Sequence, residues 1–524
     1  MILGDATAGA GAAPPNGQRR LTIDEVFGRI AHKYPDRPAL IDAANRQTFT
    51  DGAPRGLTYA EADRVVTAIA GRLHRMGLPA DSVVAIQLPN TVDNILLLLG
   101  VLRAGLIAAP LPLLWRRAEM VAALTRLGAK ALVTCGRAGS FAHAQFALRI
   151  ASEVFSIRYV CGFGANLPDG VVPFDDLFAT EEVDALPPLD RPQNAAAHLA
   201  FITFDVGESG IVPVARNHLE AVAGGLGVAL EGRLAQDARI LSAVVPSSFA
   251  GLSLTFTPWL LSAGTLSLHH PFDAEVLLQQ RRDHGCTTLI VPGPVALRLA
   301  EAGAFSRGDD AGGNVVAAWR APERIATSPV WRERDTALVD VAVFGEAGLV
   351  AARRGPNGRA APIPFGAVVA PRGSTGAVVV AEVLRTAAST VALRGPMVPR
   401  HAFPPGIERS GLPHFKIDRF GLVDTGYTCR VDPATKAMIV TGPPSGIVGV
   451  GGYRFPLHEL DEAVGKIDST ATVTALPDPL VGQRLVGQAA RRDMVQAALN
   501  AVGINPLVAA AFRDRGERSE PAGT

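Results

Sequence analysis

Residues 199–218 read LAFITFDVGESGIVPVARNH and carry the strongest structural signal in the chain. An apolar run stops at a loop that contains Gly207 and Gly210, and we predict that the chain then resumes as a helix. Glycines let backbone N–H groups approach an anion closely, and a helix directs the positive end of its dipole to the same place. The stretch therefore has the form of a phosphate-binding loop between a strand and a helix.

The charges of this loop do not suit a polyphosphate. No lysine or arginine stands between Thr203 and Arg216, whereas Asp205 and Glu208 add two carboxylates. A carboxylate about 4 Å from a phosphate oxygen raises the energy by on the order of 4 kcal/mol at an effective dielectric constant near 20. We therefore expect a loop that keeps the shape of a nucleotide site but attracts nucleotides weakly. A plain strand-to-helix turn without any ligand is the alternative.

The composition indicates a large globular protein with more than one structural unit. The chain has 524 residues, of which 48% are hydrophobic and 19% charged, so a sizeable core is easily built. The formal net charge of +1 gives no reason to expect binding to nucleic acid or to an anionic membrane. The longest apolar region, residues 95–114, is interrupted by Arg103, Pro110 and Pro112. We interpret it as a buried helix followed by a buried strand, and we predict no transmembrane segment.

The cysteines and the chain ends indicate a reduced, cytoplasmic protein. Four cysteines occur, none in a CxxC pair or near a histidine at ligand spacing: Cys135, Cys161, Cys286 and Cys429. This pattern predicts neither disulfides nor a structural metal. Residues 1–20 have no cationic start followed by an apolar block, so we interpret them as a disordered leader rather than a signal peptide. Residues 516–524 are predicted to be a disordered tail.

Strand and helix patterns alternate along most of the chain. Capping boxes predict helix starts at Thr22 and Thr58. The predicted elements that follow are a helix at 59–76, a strand at 83–86, a helix at 90–103, a strand at 106–111, a helix at 118–127 and strands at 131–134, 239–245, 265–269, 287–291, 315–319 and 339–344. This alternation is typical of parallel sheets that are covered on both faces. Residues 355–431, with many Gly and Pro, predict a smaller β-rich subdomain.

Five short stretches then point to one family. They are LTYAE at 57–61, LPN at 88–90, RGP at 394–396, DTG at 424–426 and GGYRFPLHELD at 451–461. In this order, over nearly the whole length, the chain resembles the adenylate-forming superfamily of acyl-CoA synthetases, luciferases and peptide-synthetase adenylation domains. The resemblance implies an α/β fold with a large N-terminal domain, residues 21–441, made of two α/β halves and a β-rich subdomain. A small, truncated α+β C-terminal domain would occupy residues 442–515.

The resemblance also implies a reaction. Enzymes of this superfamily convert ATP and a carboxylic acid to an acyl-adenylate and pyrophosphate, after which a thiol takes the acyl group. Such chemistry needs cations around the phosphates, a carboxylate for Mg²⁺ and a positioned lysine. The implied ligands are thus ATP and Mg²⁺, with binding weakened or lost, a small carboxylic acid or acyl group, and CoA as a candidate acceptor. The sequence leaves the acid and the oligomeric state open.

The resemblance assigns candidate nucleotide-binding residues to two elements. In the phosphate loop Gly207, Ser209 and Gly210 match, while the position of the family's lysine falls on Val212 or Pro213. A second element, aromatic-Gly-x-Thr-Glu, resembles the five residues that begin with Phe344 and Gly345. A strict alignment gives Gly348 as the metal position, whereas a two-residue deletion gives Glu346, which we retain as the candidate Mg²⁺ ligand.

Three further elements of the superfamily are altered. The Thr-Gly-Asp that would hold the ribose reads Thr-Gly-Tyr427, and a tyrosine hydroxyl cannot accept two hydrogen bonds as a carboxylate does. The adjacent Asp424 is retained as a candidate, with a solvated turn residue as the alternative. The hinge reads Gly-Pro-Pro-Ser-Gly, with Pro443 at the arginine position, and no lysine follows Lys466. The catalytic residue is therefore unknown.

Other polar residues are predicted to be structural. The adjacent His269 and His270 would face opposite sides of a strand, and His218 is expected to pack or cap rather than to catalyse. A minor alternative is that Arg216, in the first turn of the helix predicted after the loop, reaches back to a phosphate. Two functions stay open: an AMP-forming acid–thiol ligase with altered or weak adenylation, and a degenerate relative that binds an acyl group, CoA or a partner without adenylating anything.

Overall fold

The computed structural model of the protein describes residues 21–180, 186–187, 194–305 and 312–513. The predicted leader, residues 1–20, and the predicted tail, residues 516–524, lie outside these ranges. The described chain forms four sheets with helices between and around them.

The amino-terminal part of the chain supplies most of the first sheet and the helices that cover it. Thr22 and Thr58 both form the predicted capping boxes, with Glu25 and Glu61. In order, the elements are α1 (Ile23–Lys33), β1 (Pro38–Ile41), α2 (Arg46–Phe49), β2 (Gly56–Thr58), α3 (Tyr59–Arg75), β3 (Val83–Gln87), α4 (Val92–Arg103), β4 (Ile107–Pro110), α5 (Arg117–Leu127), β5 (Ala131–Cys135), α6 (His143–Glu153), β6 (Tyr159–Phe163) and β7 (Val171–Pro173).

The middle of the chain completes the first sheet and builds a second. Its elements are β8 (Leu199–Gly207), β9 (Gly210–Asn217), α7 (His218–Glu231), β10 (Arg239–Ser242), α8 (Phe249–Gly251), α9 (Thr257–Ser262), β11 (Thr265–Leu268), α10 (Ala274–Asp283), β12 (Thr288–Pro292), α11 (Gly293–Glu301), β13 (Gly313–Trp319), β14 (Thr336–Phe344) and β15 (Gly348–Arg353). The first sheet has the order β7-β6-β5-β3-β4-β8-β9 and the second β15-β14-β13-β12-β10-β11-β1-β2. Only β9, β15 and β2, at edges, pair antiparallel to their neighbours.

The main hydrophobic core lies between these two sheets. Successive residues of β3 point to opposite faces of the first sheet, so that Val84 and Ile86 join the main core while Val83 and Ala85 pack on the other side with α5 and α6. Helix α4 is apolar from Ile95 to Leu102, carries Asp93 and Asn94 in its first turn, and is buried along nearly its whole length. The structure thus confirms the predicted fold class of two α/β halves.

The predicted burial of residues 95–114 is also confirmed, since α4 and β4 account for most of this region. No helix in the described ranges is both long enough and apolar enough to cross a membrane.

The remainder of the chain forms two antiparallel sheets. Its elements are β16 (Ile363–Pro364), β17 (Gly366–Ala370), β18 (Val378–Arg385), β19 (Thr390–Arg394), β20 (Val423–Val431), β21 (Ala437–Gly442), β22 (Ile447–Val450), β23 (Tyr453–Pro456), α12 (Leu457–Gly465), β24 (Thr472–Asp478), β25 (Gly482–Gln488), α13 (Arg492–Val502) and α14 (Pro506–Ala509). The third sheet has the order β16-β21-β20-β19-β18-β17 and the fourth β23-β22-β25-β24. Apolar side chains between Val448 and Phe512 give the fourth sheet and its helices a core of their own.

The segment after Gly207 differs from the sequence prediction. Strands β8 and β9 form an antiparallel hairpin in which Gly207 pairs with Gly210, so that only Glu208 and Ser209 form the turn. The predicted helix does not follow this turn, because Ile211, Val212 and Val214 are β-branched residues that favour a strand, and Pro213 is tolerated on an edge strand. Helix α7 begins only at His218, and the positive end of its dipole therefore lies away from the turn.

Candidate active site

The turn of the β8–β9 hairpin meets the carboxyl-terminal part of the chain. Glu208 and Ser209 are exposed, and Gly210 has a φ of +78°. A Cβ atom at Gly210 would lie 3.0 Å from Oε1 of Glu459 in α12. Of the three residues that resemble the phosphate loop, Gly207 and Gly210 close the hairpin and Ser209 occupies its tip. The assignment of these residues to nucleotide binding stays a prediction.

Glu346 lies in the short turn that joins β14 and β15, where Phe344 pairs with Gly348. Its carboxylate is buried, accepting hydrogen bonds from the hydroxyl of Thr203 and from the backbone N–H of Phe249, the latter at 3.1 Å. Burial raises the pKa of Glu346, although the nearby Arg216 acts in the opposite direction. The turn thus holds a carboxylate that gains a proton more readily than an ordinary glutamate.

Arg216 approaches Glu346 from strand β9. Its guanidinium lies 3.6 Å from the carboxylate of Glu346, donates to the backbone oxygen of the same residue and stacks 3.7 Å from the ring centroid of Phe249. Burial lowers the pKa of Arg216 to about 10, so the side chain keeps its charge at neutral pH. The expectation that Arg216 belongs to a helical turn is wrong, because β9 carries it.

Arg454 on β23 supplies a second cation, which contacts strand β8 and Tyr427. One of its nitrogens donates to Oδ1 of Asp205 at 2.8 Å, and another donates to the hydroxyl of Tyr427 at 3.0 Å. The Tyr427 ring packs edge-on against Phe344 with 5.5 Å between the ring centroids. Tyr427 therefore links the two strands that present Phe344 and Arg454.

Arg320, directly after β13, is the third arginine. It donates to the hydroxyl of Ser248 at 3.2 Å, and its backbone oxygen accepts a hydrogen bond from Tyr427 at 3.1 Å. A Cβ atom at Gly452 would lie 2.8 Å from Cδ of Arg320, so a glycine is needed there. Within the described part of the chain, no carboxylate forms an ion pair with its guanidinium.

We call these five side chains the arginine cluster: Arg216, Arg320, Arg454, Asp205 and Glu346. Its three guanidinium groups outweigh its two carboxylates, and Arg320 is close enough to feel the charges of both Glu346 and Arg454. Beside it, Arg400 and Glu220 form a pair at 3.9 Å and add no net charge. The positive charge that is missing from the turn of the hairpin is therefore supplied by strand β9 of the same hairpin, by the residue after β13 and by β23.

Three sequence-predicted positions lie elsewhere. Asp424 is exposed on β20, where its side chain accepts a hydrogen bond from the N–H of Gly426 at 2.9 Å. In the hinge, Pro444 packs against Gly426, and Gly446 has a φ of +70°. Lys466 forms an exposed pair with Glu462. None of these residues contacts the arginine cluster through a described hydrogen bond or ion pair.

The histidines have the packing roles that were expected. Nδ1 of His218 accepts a hydrogen bond from the N–H of Ile23 at 3.2 Å, and His269 is held by Gln280 and by the N–H of Asp273. Burial lowers the pKa of His270 to about 4 and keeps it neutral. Among the described residues, no three His, Cys, Asp or Glu side chains are grouped as a metal site.

Sequence reasoning missed the roles of Arg320 and Arg454 in this site. Arg454 stands within the GGYRFPLHELD stretch that supports the family resemblance, yet it is 249 residues from Asp205. Phe249, which stacks on Arg216, carried no recognised signal either. Only the folded chain brings these residues together.

Comparisons with known proteins identify the family of this chain. Residues 27–352 match the family described as AMP-binding enzyme. A sulfoacetate–CoA ligase from Cupriavidus necator is 28% identical over 287 residues, which are 53% of this chain and 51% of that protein. A 4-coumarate–CoA ligase from Narcissus pseudonarcissus is 28% identical over 181 residues, 34% of this chain and 29% of that protein. The chain thus spans about half or less of the length of these relatives.

Solved structures match over a greater length. The amide bond synthetase McbA from Marinactinospora thermotolerans has a TM-score of 0.69 at 19% identity, covering 95% of this chain and 97% of that one. Apo MbtA from Mycobacterium smegmatis has a TM-score of 0.63 at 20% identity, covering 93% and 89%. At these identities the similarity shows the fold alone. Because the family match covers well over half of the sequence, the chain belongs to the AMP-binding enzyme family.

Proposed function

We propose that this protein is an AMP-forming ligase that activates a small carboxylic acid with ATP and then transfers the acyl group to a thiol such as CoA. The observation that carries the proposal is the grouping of three guanidinium groups at the hairpin that resembles a phosphate loop: Arg216 lies on its strand β9, Arg454 pairs with Asp205 on its strand β8, and Arg320 lies within range of the charges of Glu346 and Arg454. Two of the relatives are CoA ligases, which is consistent with the proposal. No observation favours the binding-only alternative.

The reaction would proceed by attack of the acid's carboxylate oxygen on the α-phosphorus of ATP, with breakage of the bond to pyrophosphate. Negative charge moves onto the departing pyrophosphate, and fixed cations stabilise that charge without having to reorganise. Arg320 has no carboxylate partner in the described chain, and Arg454 shares a partly exposed ion pair, so both can turn to a phosphate. Arg216 is held by Glu346 and Phe249 and would act from its fixed position.

Glu346 is the residue that we propose to bind magnesium. Mg²⁺ is commonly bound through one or two carboxylates together with substrate phosphates and water. The ion would neutralise phosphate charge. To hold it, Glu346 would exchange its hydrogen bonds from Thr203 and Phe249 for the ion. Asp205 and Glu208 nevertheless lead us to expect weaker nucleotide binding than a lysine-bearing loop would give.

The test is acid-dependent exchange of labelled pyrophosphate into ATP with a panel of short, long and aromatic acids. We expect exchange with at least one acid, followed by acyl-CoA formation when CoA is added, as detected by mass spectrometry. Arg320→Gln should lower the exchange rate by about 10- to 100-fold, because a charged hydrogen bond to phosphate is worth about 1.5–3 kcal/mol.

Arg324→Gln is the matched control for this variant. Arg324 lies near Arg320 in sequence but donates to the backbone oxygens of Asp478 and Pro479 rather than joining the cluster. It should therefore leave exchange nearly unchanged. No exchange with any acid, in a folded protein, would refute the proposed activity.

A further inference from the structure

Asp205 is unusual because a carboxylate on β8 neutralises an arginine that could otherwise meet a phosphate. The pair with Arg454 has good geometry at 2.8 Å but is not sealed from water, since 25% of the Asp205 side chain and 17% of the Arg454 side chain are exposed. A pair of this kind is held weakly enough to exchange partners, in contrast to a dry ion pair.

The pair between Asp205 and Arg454 lies so close to Gly345 that a larger residue would not fit at that position. Gly345 has a φ of +57°, and a Cβ atom there would lie 2.6 Å from a nitrogen of Arg454 and 3.0 Å from Oδ1 of Asp205. The backbone of the β14–β15 turn therefore packs directly on the ion pair. Tyr427 holds the second nitrogen of Arg454 and directs the guanidinium towards Asp205.

The same pair joins two parts of the chain. Arg454 belongs to the β22–β23 hairpin, which also contacts the loop between β4 and α5: the hydroxyl of Tyr453 accepts a hydrogen bond from the N–H of Leu114 at 3.2 Å. Whatever draws Arg454 away from Asp205 therefore also acts on the contact between the β22–β23 hairpin and the first sheet.

We propose that Asp205 is a competitor for the polyphosphate of the nucleotide: it holds Arg454 when the site is free, and a bound polyphosphate takes Arg454 from it. Nucleotide binding is thereby coupled to the position of the β22–β23 hairpin. Asp205 is a positioning residue in this scheme, and the identity of the polyphosphate rests on the proposed function. This arrangement lowers the affinity for the polyphosphate, because the carboxylate of Asp205 repels the phosphate that takes its place beside Arg454.

The test uses tripolyphosphate, which binds without any adenylation. Asp205→Asn should bind it roughly tenfold more tightly in isothermal titration, because the variant keeps a side chain of similar size and removes one repelling charge. Without ligand, the amides of residues 450–456 should exchange with deuterium faster in Asp205→Asn than in the parent protein. Tripolyphosphate should restore their protection.

Two further variants make the outcome decisive. Glu208→Gln removes an equal charge from the exposed tip of the same hairpin, where it does not pair with Arg454, so it should tighten tripolyphosphate binding less than Asp205→Asn does and leave the exchange of residues 450–456 unchanged. Arg454→Gln should weaken tripolyphosphate binding. Equal affinity of Asp205→Asn and the parent, or equal exchange of residues 450–456 in both, would overturn the coupling. Pyrophosphate exchange by the parent protein is a separate measurement, so failure of the coupling and failure of the ligase activity are distinguishable.

Discussion

This protein has two groups of charged side chains that differ in their balance of cations and carboxylates. In the first, which we call the amino-terminal network, Arg46 lies between Asp42 and Asp93, and Arg55 also contacts Asp93 at 3.0 Å. The second, the arginine cluster, has more cations than carboxylates and draws them from strands far apart in sequence. A network in which every charged group has a partner supports the fold, whereas a surplus of one sign is available to a ligand.

The largest expected effect is on the free energy of unfolding when the amino-terminal network loses its central arginine. Arg46 is 2% exposed, so Arg46→Gln would leave Asp42 buried without its cation and Asp93 with Arg55 as its one remaining partner among the described residues. Removing one partner of a buried pair destabilises a protein by about 3–5 kcal/mol. Urea unfolding should show this loss. A loss below about 1 kcal/mol, as for an exposed pair, would show that the two groups do not differ in the way proposed.

Protonation of Glu346 provides a sharper test of the arginine cluster. The pKa of Glu346 is raised in the folded protein, so the stability that its protonated form contributes is present below the ordinary glutamate pKa and is lost as the pH rises through the raised value. Glu346→Gln cannot ionise, and its amide oxygen can still accept from Thr203 and Phe249. Its stability should lie within about 1 kcal/mol of the parent at low pH.

As the pH rises, Glu346→Gln should become more stable relative to the parent. Unfolding at pH 5 and pH 8 measures this difference. A variant that instead loses stability relative to the parent as the pH rises would mean that the ion pair with Arg216 outweighs burial and lowers the pKa.

The smallest expected effect is that of an exposed ion pair outside both groups, which serves as the reference for the other two measurements. Lys466 and Glu462 form an exposed pair at 2.7 Å, and Lys466→Gln should change the free energy of unfolding by no more than about 0.5 kcal/mol. The same urea titration measures it. A change comparable to that of Arg46→Gln would mean that exposure does not separate strong from weak pairs in this protein.

How far the sequence predicts the structure depends on the range of the interactions. The capping box at Thr58, the strand at β3 and the buried helix α4 follow from local patterns and were found where they were predicted. The segment after Gly207 was predicted wrongly, because the glycine spacing suggested a helix while the β-branched residues of β9 pair with β8.

The candidate site was predictable only in part. Glu346, Phe344 and the hairpin glycines were identified through the family resemblance, and their roles stay predictions. The pairing of Asp205 with Arg454 was not foreseen, because no periodicity or motif relates residues 249 positions apart. Asp424 was retained because it adjoins the Thr-Gly pair, yet Tyr427 is the residue that reaches Arg454.

The late start of helix α7 has a consequence for how this family member can evolve. Asn217 and Glu220 cap that helix, and β9 separates its first N–H groups from the hairpin turn. Main-chain donors tolerate almost any substitution, but the guanidinium groups on β9, directly after β13 and on β23 can each be removed by a single base change. The proposed anion recognition would therefore depend on three separate segments of the chain keeping their relative positions.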